Sequence, residues 1–206
     1  MKYFIEAAYK ILEEEGIDNL TARKVADLAG YNSATLYNYF ENLDHLICYA
    51  SMGYLKAYYA ELSTYISKDD QPRNVFLKTW ELFAYHSFKR PIIFKIIFFS
   101  QFNHQLKNMI NTYFELFPED FGEHQKDLIP MLREGDLKQR NMTILSQKLG
   151  DQIPKDQLIL LNELIILVFR GSLESVIAGE FTSVKEAVEN TLRLISFALD
   201  FFYHGA

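Results

Sequence analysis

Few residues in this sequence can interrupt regular structure or form covalent cross-links. The chain has 206 residues, of which nine are glycine, five are proline and one is cysteine. The lone Cys48 excludes an internal disulfide and a cysteine-based zinc cluster, and it suits a reducing compartment. Hydrophobic residues make up 49% of the chain, which excludes a disordered protein and is enough for one or two domains with a substantial core.

Long hydrophobic runs are also missing. The two longest, residues 91–102 and 158–169, are interrupted by Lys95 and by Asn162-Glu163, and neither reaches the roughly 18 residues that a membrane span needs. The first residues have the pattern of an amphipathic helix and lack the apolar core of a signal peptide. We therefore expect a soluble, cytoplasmic protein that has no membrane partner.

The common motifs of catalysis and metal binding are missing as well. The five histidines show neither the His-Glu-x-x-His pattern nor another close ligand spacing, and no glycine-rich phosphate loop occurs. Gly171-Ser172 lacks the flanking residues of a nucleophile elbow. These absences predict that the protein is not an enzyme and uses no metal or cofactor. The alternative is an enzyme whose serines, carboxylates and histidines converge only in the folded chain.

The most informative stretch that is present covers residues 20–46. Thr21 is a good N-cap for a short helix, and Gly30 suits the left-handed residue just beyond the end of that helix. The residues predicted to be buried on this helix are Val25, Ala26 and Leu28. A tight turn after Gly30 leads into a second short helix.

This second helix is predicted from Ala34 to Phe40, with Asn32 or Ser33 as its N-cap. It packs through Leu36 and Phe40. The residues on its other faces are Ser33, Thr35, Tyr37, Asn38 and Tyr39. Two short helices joined by a glycine turn form a helix-turn-helix, whose second helix enters a DNA major groove. Two short packed helices also occur in all-α proteins that bind no DNA.

The ordered residues of this stretch resemble a known family. The run T-A-R-K-V-A-D-L-A-G, followed by T-L-Y-N-Y-F and N-L-D-H-L, is similar to the N-terminal signature of the TetR family of transcriptional regulators. The resemblance covers about the first quarter of the chain. It implies an all-α fold, in which residues 1–47 form a three-helix helix-turn-helix DNA-binding domain, the head. Residues 48–206 would then form a helical ligand-binding and dimerisation domain, the body.

Contacts to DNA follow partly from the resemblance and partly from side-chain chemistry. By resemblance, Thr21, Tyr37 and Tyr39 occupy phosphate-contacting positions, whereas Leu43 stands where the family usually has lysine. Asparagine can pair with adenine at two points, and small methyl-bearing side chains can contact the thymine methyl group. The predicted DNA-binding residues are Thr21, Arg23, Lys24, Asn32, Ser33, Ala34, Thr35, Tyr37, Asn38 and Tyr39. Packing in the core is the other interpretation of Tyr37.

Positive charge is scarce where a DNA-binding protein needs it. The net charge of the chain is −6, and residues 1–47 contain four Lys or Arg against eight Asp or Glu. Because neutralising phosphates supplies most non-specific affinity for DNA, such a head must rely on neutral donors and helix N-termini. The charge leaves an alternative function open, namely a helical dimeric ligand- or protein-binding module with weak or lost DNA binding.

The remaining chain is predicted to be helical. One continuous helix, capped by Asn42, is expected from Leu43 to about Ser67, and the resemblance implies that it links the two domains and moves when a ligand binds. Residues 118–122 are a predicted turn, and residues 135–141 are a predicted exposed connection. The other predicted helices cover residues 73–89, 123–134, 155–178, one starting at Pro91, one ending at Leu149 and one capped by Ser183.

Aromatic residues are concentrated between residues 80 and 117. They either pack as a helical core or line an apolar cavity between helices, which would suit an apolar or aromatic small molecule. The candidate ligand-binding residues are Trp80, Phe83, Phe88, Phe98, Phe102, Tyr113, Phe114, Phe169 and Arg170. Arg170 shares a helix face with Glu163 and Glu174, so it either forms an internal ion pair or binds a ligand carboxylate.

The last two predicted helices carry wider apolar faces than one neighbour can bury. A homodimer that packs these helices in a four-helix interface would cover the surplus, although the monomer could also cover it alone. Two heads related by a two-fold axis would contact a palindromic DNA operator. The predicted function is therefore a repressor that leaves a palindromic operator when an apolar or aromatic effector binds the body.

Overall fold

The computed structural model describes residues 1–118 and 127–204, and within these ranges its regular structure is helical. The all-α fold is therefore confirmed. The helices are α1 (Lys2–Glu14), α2 (Ala22–Ala29), α3 (Ser33–Leu36), α4 (Leu43–Ser51), α5 (Gly53–Tyr65), α6 (Pro72–Lys89), α7 (Pro91–Phe99), α8 (Leu106–Leu116), α9 (Ile129–Arg133), α10 (Leu137–Leu149), α11 (Lys155–Ile177) and α12 (Val184–His204). Of these described helices, none is long and apolar enough to cross a membrane.

The head is built on α1, which packs against α2 and α4, while α2 packs against α3. Thr21 caps α2 as predicted, because its side chain accepts a hydrogen bond from the Lys24 amide. Leu28, predicted to be buried, is exposed. The buried face of α2 is centred between Val25 and Ala26, and at about 100° per residue Leu28 points roughly 110° away from that centre.

The second helix of the helix-turn-helix is shorter than predicted. Asn32 caps it by accepting a hydrogen bond from the Ala34 amide over 2.8 Å, but regular helix ends at Leu36, and residues 37–39 form a turn. Leu36 and Phe40 are both buried, as predicted. The ring of Phe40 packs edge-on against that of Tyr49 on α4, and this tertiary contact accompanies the early end of the helix.

The helix predicted over residues 43–67 is divided in two at Met52. The Met52 amide donates to the Tyr49 carbonyl over 3.1 Å, and the Leu55 amide donates to the Met52 carbonyl over 3.0 Å. These three-residue steps make a tighter turn than an α-helix. Gly53 lies so close to the ring of Tyr9 on α1 that a Cβ at this position would overlap it. The turn at Met52 thereby sets the direction in which α5 leaves α4.

In the body, α6 packs against α5, α7, α10, α11 and α12. Helix α10 begins at Leu137, where Asp136 caps it by accepting from the Gln139 amide over 3.0 Å. The connection predicted over residues 135–141 is therefore wrong, since Arg140 and Asn141 are helical and buried. Their spacing from Leu137 places them on the inner face of the helix.

The other predicted boundaries of the body are close to those observed. Ser183 accepts a hydrogen bond from the Glu186 amide over 3.2 Å, and the Glu186 carboxylate accepts from the Thr182 amide over 2.8 Å. This is the predicted capping box with one difference: the Glu186 carboxylate accepts from the amide of Thr182 and not from that of the N-cap residue, Ser183. The turn predicted at 118–122 and the first part of the helix predicted at 123–134 lie largely outside the described residues.

Candidate functional site

The residues predicted to bind DNA lie on the outer side of α2, α3 and the turn after α3. Those of the set that are exposed are Thr21, Arg23, Lys24, Asn32, Ala34, Tyr37, Asn38 and Tyr39, and those that are half-buried are Ser33 and Thr35. Beneath them, Leu36 and Phe40 anchor the segment in the head. The arrangement leaves hydroxyl, amide and methyl groups free to meet another surface.

Two tyrosines are prominent on this surface. Tyr37 is 53% exposed and Tyr39 is 50% exposed, so packing in the core does not explain Tyr37. The ring of Tyr39 packs against that of Phe4 in a tilted arrangement, with the centroids 6.1 Å apart. Tyr31, which the sequence did not single out, also lies against Phe4, at 5.3 Å. The phenolic hydroxyls of this surface are suited to donating hydrogen bonds to phosphate oxygens.

The two cations of α2 are engaged with carboxylates of the head. Arg23 Nε lies 3.8 Å from Asp27 Oδ2, and Lys24 Nζ lies 2.7 Å from Glu15 Oε2. All four side chains are largely exposed, and exposed ion pairs contribute about 0–1 kcal/mol. The pairing therefore holds these cations in place without preventing a phosphate from replacing the carboxylate.

Several contacts join the head to the body. The ring of His45 on α4 stacks on that of Phe102 at a centroid distance of 4.9 Å and an interplanar angle of 21°. Arg90 Nη2 lies 3.1 Å from Glu13 Oε1 on α1. Phe102 was predicted to bind ligand, but it packs against α4 because the chain after α7 turns back towards the head.

Most of the other predicted ligand-binding aromatics form the packed core. The ring of Phe83 lies 5.4 Å from that of Phe98 and 5.1 Å from that of Phe169. Phe88 stacks on Phe169 at 5.9 Å and 11°. Such tilted and edge-on arrangements are the ones that aromatic rings prefer in cores. Phe88, Phe98 and Phe169 are accounted for by this packing.

Tyr113 and Phe114 belong to a separate aromatic group on α8. The ring of Tyr113 lies 4.7 Å from that of Phe117, and the ring of Phe114 lies 5.7 Å from that of Tyr59. This group packs between α8 and α5 and is not part of the cavity described below.

The internal ion pair predicted for Arg170 is wrong, whereas its other predicted role, binding a ligand carboxylate, stays a prediction. Arg170 is exposed, with its guanidinium 5.3 Å above the ring of Phe99. Glu163 pairs with Lys138, and Glu174 pairs with Lys95. Helix α11 therefore turns Arg170 outward, away from the core, while the two carboxylates expected to meet it are bound to lysines of other helices.

A small cavity lies between α5, α6, α9 and α10. Its volume is about 20 Å³, enough for about one water molecule. Of the predicted ligand-binding residues, Trp80 and Phe83 line it. The complete lining is Tyr58, Thr79, Trp80, Phe83, Met131, Leu137, Arg140, Asn141 and Ile144.

Arg140 is the unexpected residue of this cavity. It is 3% exposed, and Nη1 donates a hydrogen bond to the Tyr59 hydroxyl over 3.2 Å. Its guanidinium carbon lies 5.4–5.8 Å from the ring centroids of four aromatic residues, Tyr58, Tyr59, Phe83 and Phe98. Nη2 is buried and has no hydrogen-bond partner.

This arginine nevertheless stays charged. Burial lowers the pKa of the guanidinium, but the electrostatic attraction and hydrogen bonds of Tyr59 and Tyr58 outweigh it, and the pKa of Arg140 is raised. Burying an ion costs several kcal/mol, whereas a cation–π contact returns about 0.5–2 kcal/mol. The site therefore holds a positive charge that the surrounding rings stabilise only in part.

A chain of buried amides fixes the wall beside Arg140. Trp80 Nε1 donates to Asn141 Oδ1 over 2.9 Å, and Asn141 Nδ2 donates to Asn162 Oδ1 over 2.8 Å. Asn162 Nδ2 donates to the Lys138 carbonyl over 3.2 Å. These bonds tie α6, α10 and α11 together. The sequence signal for them was available, since Asn162 interrupts an otherwise apolar run.

The described residues contain no group of three or more His, Cys, Asp or Glu side chains that could hold a metal ion. Besides the exposed face of the head and the Arg140 cavity of the body, the same part of the chain has open clefts along α6 and α12 and an exposed apolar surface on α11 and α12.

Comparisons with known proteins concern the head and the fold of the whole chain. Residues 4–48, from α1 into α4, match the family model described as "Bacterial regulatory proteins, tetR family". No curated protein sequence matches the chain.

Solved structures show the same fold along nearly the whole chain. Thermus thermophilus FadR, a TetR family transcriptional repressor in complex with lauroyl-CoA, is 16% identical over 96% of this chain and 94% of its own, with a TM-score of 0.61. A TetR transcriptional regulator from Rhodococcus sp. RHA1 is 16% identical over 96% and 93%, with a TM-score of 0.55. A TetR variant from Acinetobacter baumannii AYE in complex with minocycline is 14% identical over 96% and 93%, with a TM-score of 0.56.

These identities by themselves establish a common fold, and the family match applies to the head, residues 4–48. The helix-turn-helix with its exposed outer face, the family match over that same segment and the shared fold of the whole chain lead to one conclusion. The head belongs to the tetR family of bacterial regulatory proteins, and the chain as a whole has the fold of solved TetR transcriptional regulators.

Proposed function

We propose that the protein is a homodimeric repressor that binds a palindromic operator through its two heads and is released when a small molecule binds the body. The observation that carries this proposal is the recognition segment, in which Leu36 and Phe40 are buried, Thr35 is half-buried, and Tyr37 and Asn38 are exposed. A segment anchored in this way can enter a major groove without unfolding the head.

Individual roles on this surface follow from chemistry. Ala34, Thr35 and Asn38 would meet base edges, Asn38 by pairing with adenine. Tyr37 and Tyr39 would donate to phosphates, and Thr21 would lie beside a phosphate at the N-terminus of α2. The remaining members of the proposed DNA-binding set are Arg23, Lys24, Asn32 and Ser33.

Dimerisation is supported by the apolar surface of α11 and α12. The large apolar residues exposed on these helices are Ile159, Leu160, Leu164, Leu167, Leu194, Phe197 and Phe201. An apolar surface of this kind is unusual on a monomer and marks an interaction site. Packing the two helices against those of a second copy would cover the surface and place two heads on one side of the dimer.

The body would hold the effector at the Arg140 cavity. The walls of this cavity are mostly apolar and aromatic, and two proteins of the same fold bind lauroyl-CoA and minocycline. The effector would act on the head through α4 and α5, which meet at Met52. Coupling of this kind is reciprocal, so operator DNA must weaken effector binding by the same factor.

The test is fluorescence anisotropy of the purified protein with DNA fragments from upstream of its own gene, across a series of salt concentrations. Tight binding to one palindromic fragment, weakening steeply with salt because counterions are released, is expected. A folded dimer that binds no fragment even at low salt would overturn the repressor proposal.

The acidic head favours a second candidate. Because Arg23 and Lys24 are already paired with carboxylates and Leu43 occupies a position where the family usually has lysine, the chain could be a ligand- or protein-binding module with weak or lost DNA binding. The same titration separates the two candidates, since only the repressor shows salt-dependent retention of one operator.

A further inference from the structure

We propose that the ligand of the body is an organic monocarboxylate with an apolar or aromatic remainder, and that Arg140 binds its carboxylate. This inference rests on the proposed function only in taking the cavity ligand to be the effector. It changes the expectation from the sequence, which favoured a largely apolar or aromatic ligand and offered Arg170 as the residue that would bind a ligand carboxylate.

The geometry that supports the proposal is a buried charge with a free donor. Arg140 is 3% exposed, lines the cavity and keeps Nη2 without a hydrogen-bond partner. Buried polar groups in proteins are almost always paired, and a buried charge that lacks an opposite charge is rarer still. The ion pairs among the described residues do not include Arg140. An anion at Nη2 would supply both the missing acceptor and the missing charge.

The remaining polar groups of the cavity limit the anion to a small one. Both ends of the Asn141 amide are used, by Trp80 and by Asn162, and the Thr79 hydroxyl donates to the Val75 carbonyl over 2.7 Å. A phosphate dianion needs several donors, whereas a carboxylate can be held by the fork of one guanidinium. Because Nη2 is the one nitrogen of Arg140 that is buried without a partner, and Tyr58 is the remaining polar side chain of the lining, the site favours a carboxylate over a phosphate.

The rest of the lining defines the rest of the ligand. Met131, Leu137 and Ile144 contribute apolar side chains, and Trp80 and Phe83 contribute aromatic rings. A cavity of about 20 Å³ is far below the roughly 300 Å³ at the lower end of ligand pockets. A ligand must therefore displace part of this wall when it binds, and the flexible side chain of Met131 can move most easily.

The experiment uses Trp80, the only tryptophan of the chain, as a fluorescence reporter inside the cavity. The full-length protein is titrated with straight-chain carboxylates of increasing length, from butanoate to dodecanoate, and with benzoate. Each acid is paired with its methyl ester as the uncharged counterpart. Because hydrogen bonds to charged groups are the stronger ones, the best acid is expected to bind about tenfold or more tightly than its ester.

Two variants decide whether Arg140 causes this preference. Arg140→Met replaces a buried charge by an apolar chain, is expected to fold, and should bring acid and ester to equal affinity. Arg140→Lys keeps the charge and should keep part of the preference. Arg170→Met is the matched control, since it removes an exposed arginine of the body, and it should leave the preference unchanged.

Equal binding of acid and ester by the unaltered protein, an unchanged preference in Arg140→Met, or no binding of any acid would each overturn the inference. Operator anisotropy on the same samples separates this inference from the proposed function. If acids bind through Arg140 but leave the operator complex intact, the carboxylate site stands and its role as effector site fails. If no DNA binds at all, the repressor fails while the fluorescence result remains valid.

Discussion

Arg140 and Tyr59 join the cavity to the helix that leads into the head. Arg140 donates to the Tyr59 hydroxyl over 3.2 Å, and Tyr59 donates in turn to the Leu132 carbonyl over 3.1 Å. Tyr59 lies on α5, which continues from α4 through the turn at Met52. A ligand that draws the guanidinium away from Tyr59 would therefore loosen α5 from α9 and α10. Because α5 is joined to α4, and α4 packs against α1 of the head, this change would be passed on to the head.

Tyr59→Phe should weaken this coupling. The variant loses one hydrogen bond on each side of the hydroxyl, and a buried hydrogen bond contributes about 0.5–1.5 kcal/mol, so its melting temperature should fall modestly. Operator affinity without effector should stay close to that of the unaltered protein, whereas effector should release the operator less completely. Anisotropy with and without effector measures both. Tyr85→Phe, on the exposed side of α6, is the control, and equal release by both variants would contradict the coupling.

Thr35→Ala and Tyr37→Phe should each reduce operator affinity while the dimer and its stability stay intact. The first removes a methyl contact and the second a phosphate donor, and contacts of these kinds typically contribute about 1–3 kcal/mol at most. Binding isotherms on the operator fragment give the change. Thr64→Ala and Tyr85→Phe make the same chemical changes on exposed sites of the body. Unchanged affinity in both head variants would place the DNA-binding surface elsewhere.

Phe197→Glu should dissociate the dimer. Phe197 is 74% exposed on α12, and Leu167, 66% exposed on α11, extends the same surface; a charge buried there would be left unpaired. Analytical ultracentrifugation at micromolar concentration should show a monomer, and operator binding should be lost with it. Ile92→Glu changes another exposed apolar residue and should leave a dimer. A dimer that persists in both Phe197→Glu and Leu167→Glu would place the interface on another surface.

Stability should decline in mild acid because of His45. Its ring is 8% exposed and Nδ1 accepts a hydrogen bond from the Glu41 amide over 3.2 Å, so protonation would remove an acceptor. Burial lowers the pKa of His45, an effect that the Glu41 carboxylate partly opposes. The unfolded chain, with a histidine pKa of about 6.5, binds more protons, so the free energy of unfolding falls as pH decreases through that value.

Urea unfolding at pH 7.5 and at pH 5.5 measures this decline. His45→Gln should reduce the difference between the two pH values, while His104→Gln, which changes an exposed residue, should retain it. The same pH dependence in the His45 variant and in the unaltered protein would assign the decline to other groups.

In the head, local sequence patterns predict the helix caps but not the length of every helix. The caps at Thr21 and Asn32 and the left-handed Gly30, with φ of 77°, were predictable because each depends on a few neighbouring residues. The length of α3 was not predictable in this way. It depends on the packing of Phe40 against α4, which no pattern within residues 33–40 encodes.

In the cavity, local sequence patterns do not predict which residues form the lining. The sequence pattern predicts Arg140 and Asn141 in an exposed connection and offers Arg170 as a ligand-binding charge, but Arg140 is the buried arginine of the cavity. Trp80 and Phe83 line the cavity, whereas Phe88, Phe98 and Phe169 are aromatic residues of the same helical pattern and pack as core. Composition and period alone do not distinguish a ring that faces another ring from one that faces a cavity.

Local patterns are therefore enough to predict the helical fold, the helix-turn-helix and the surplus apolar surface of the last two helices. Capping residues, glycines at helix ends and apolar periodicity depend on residues that are close in sequence, so the sequence alone is enough to recognise them. Which arginine is buried depends on long-range packing, because Arg140 contacts Tyr59 across 81 residues of sequence. Contacts at that separation depend on how whole helices pack, and packing is settled by the combined shapes of many side chains.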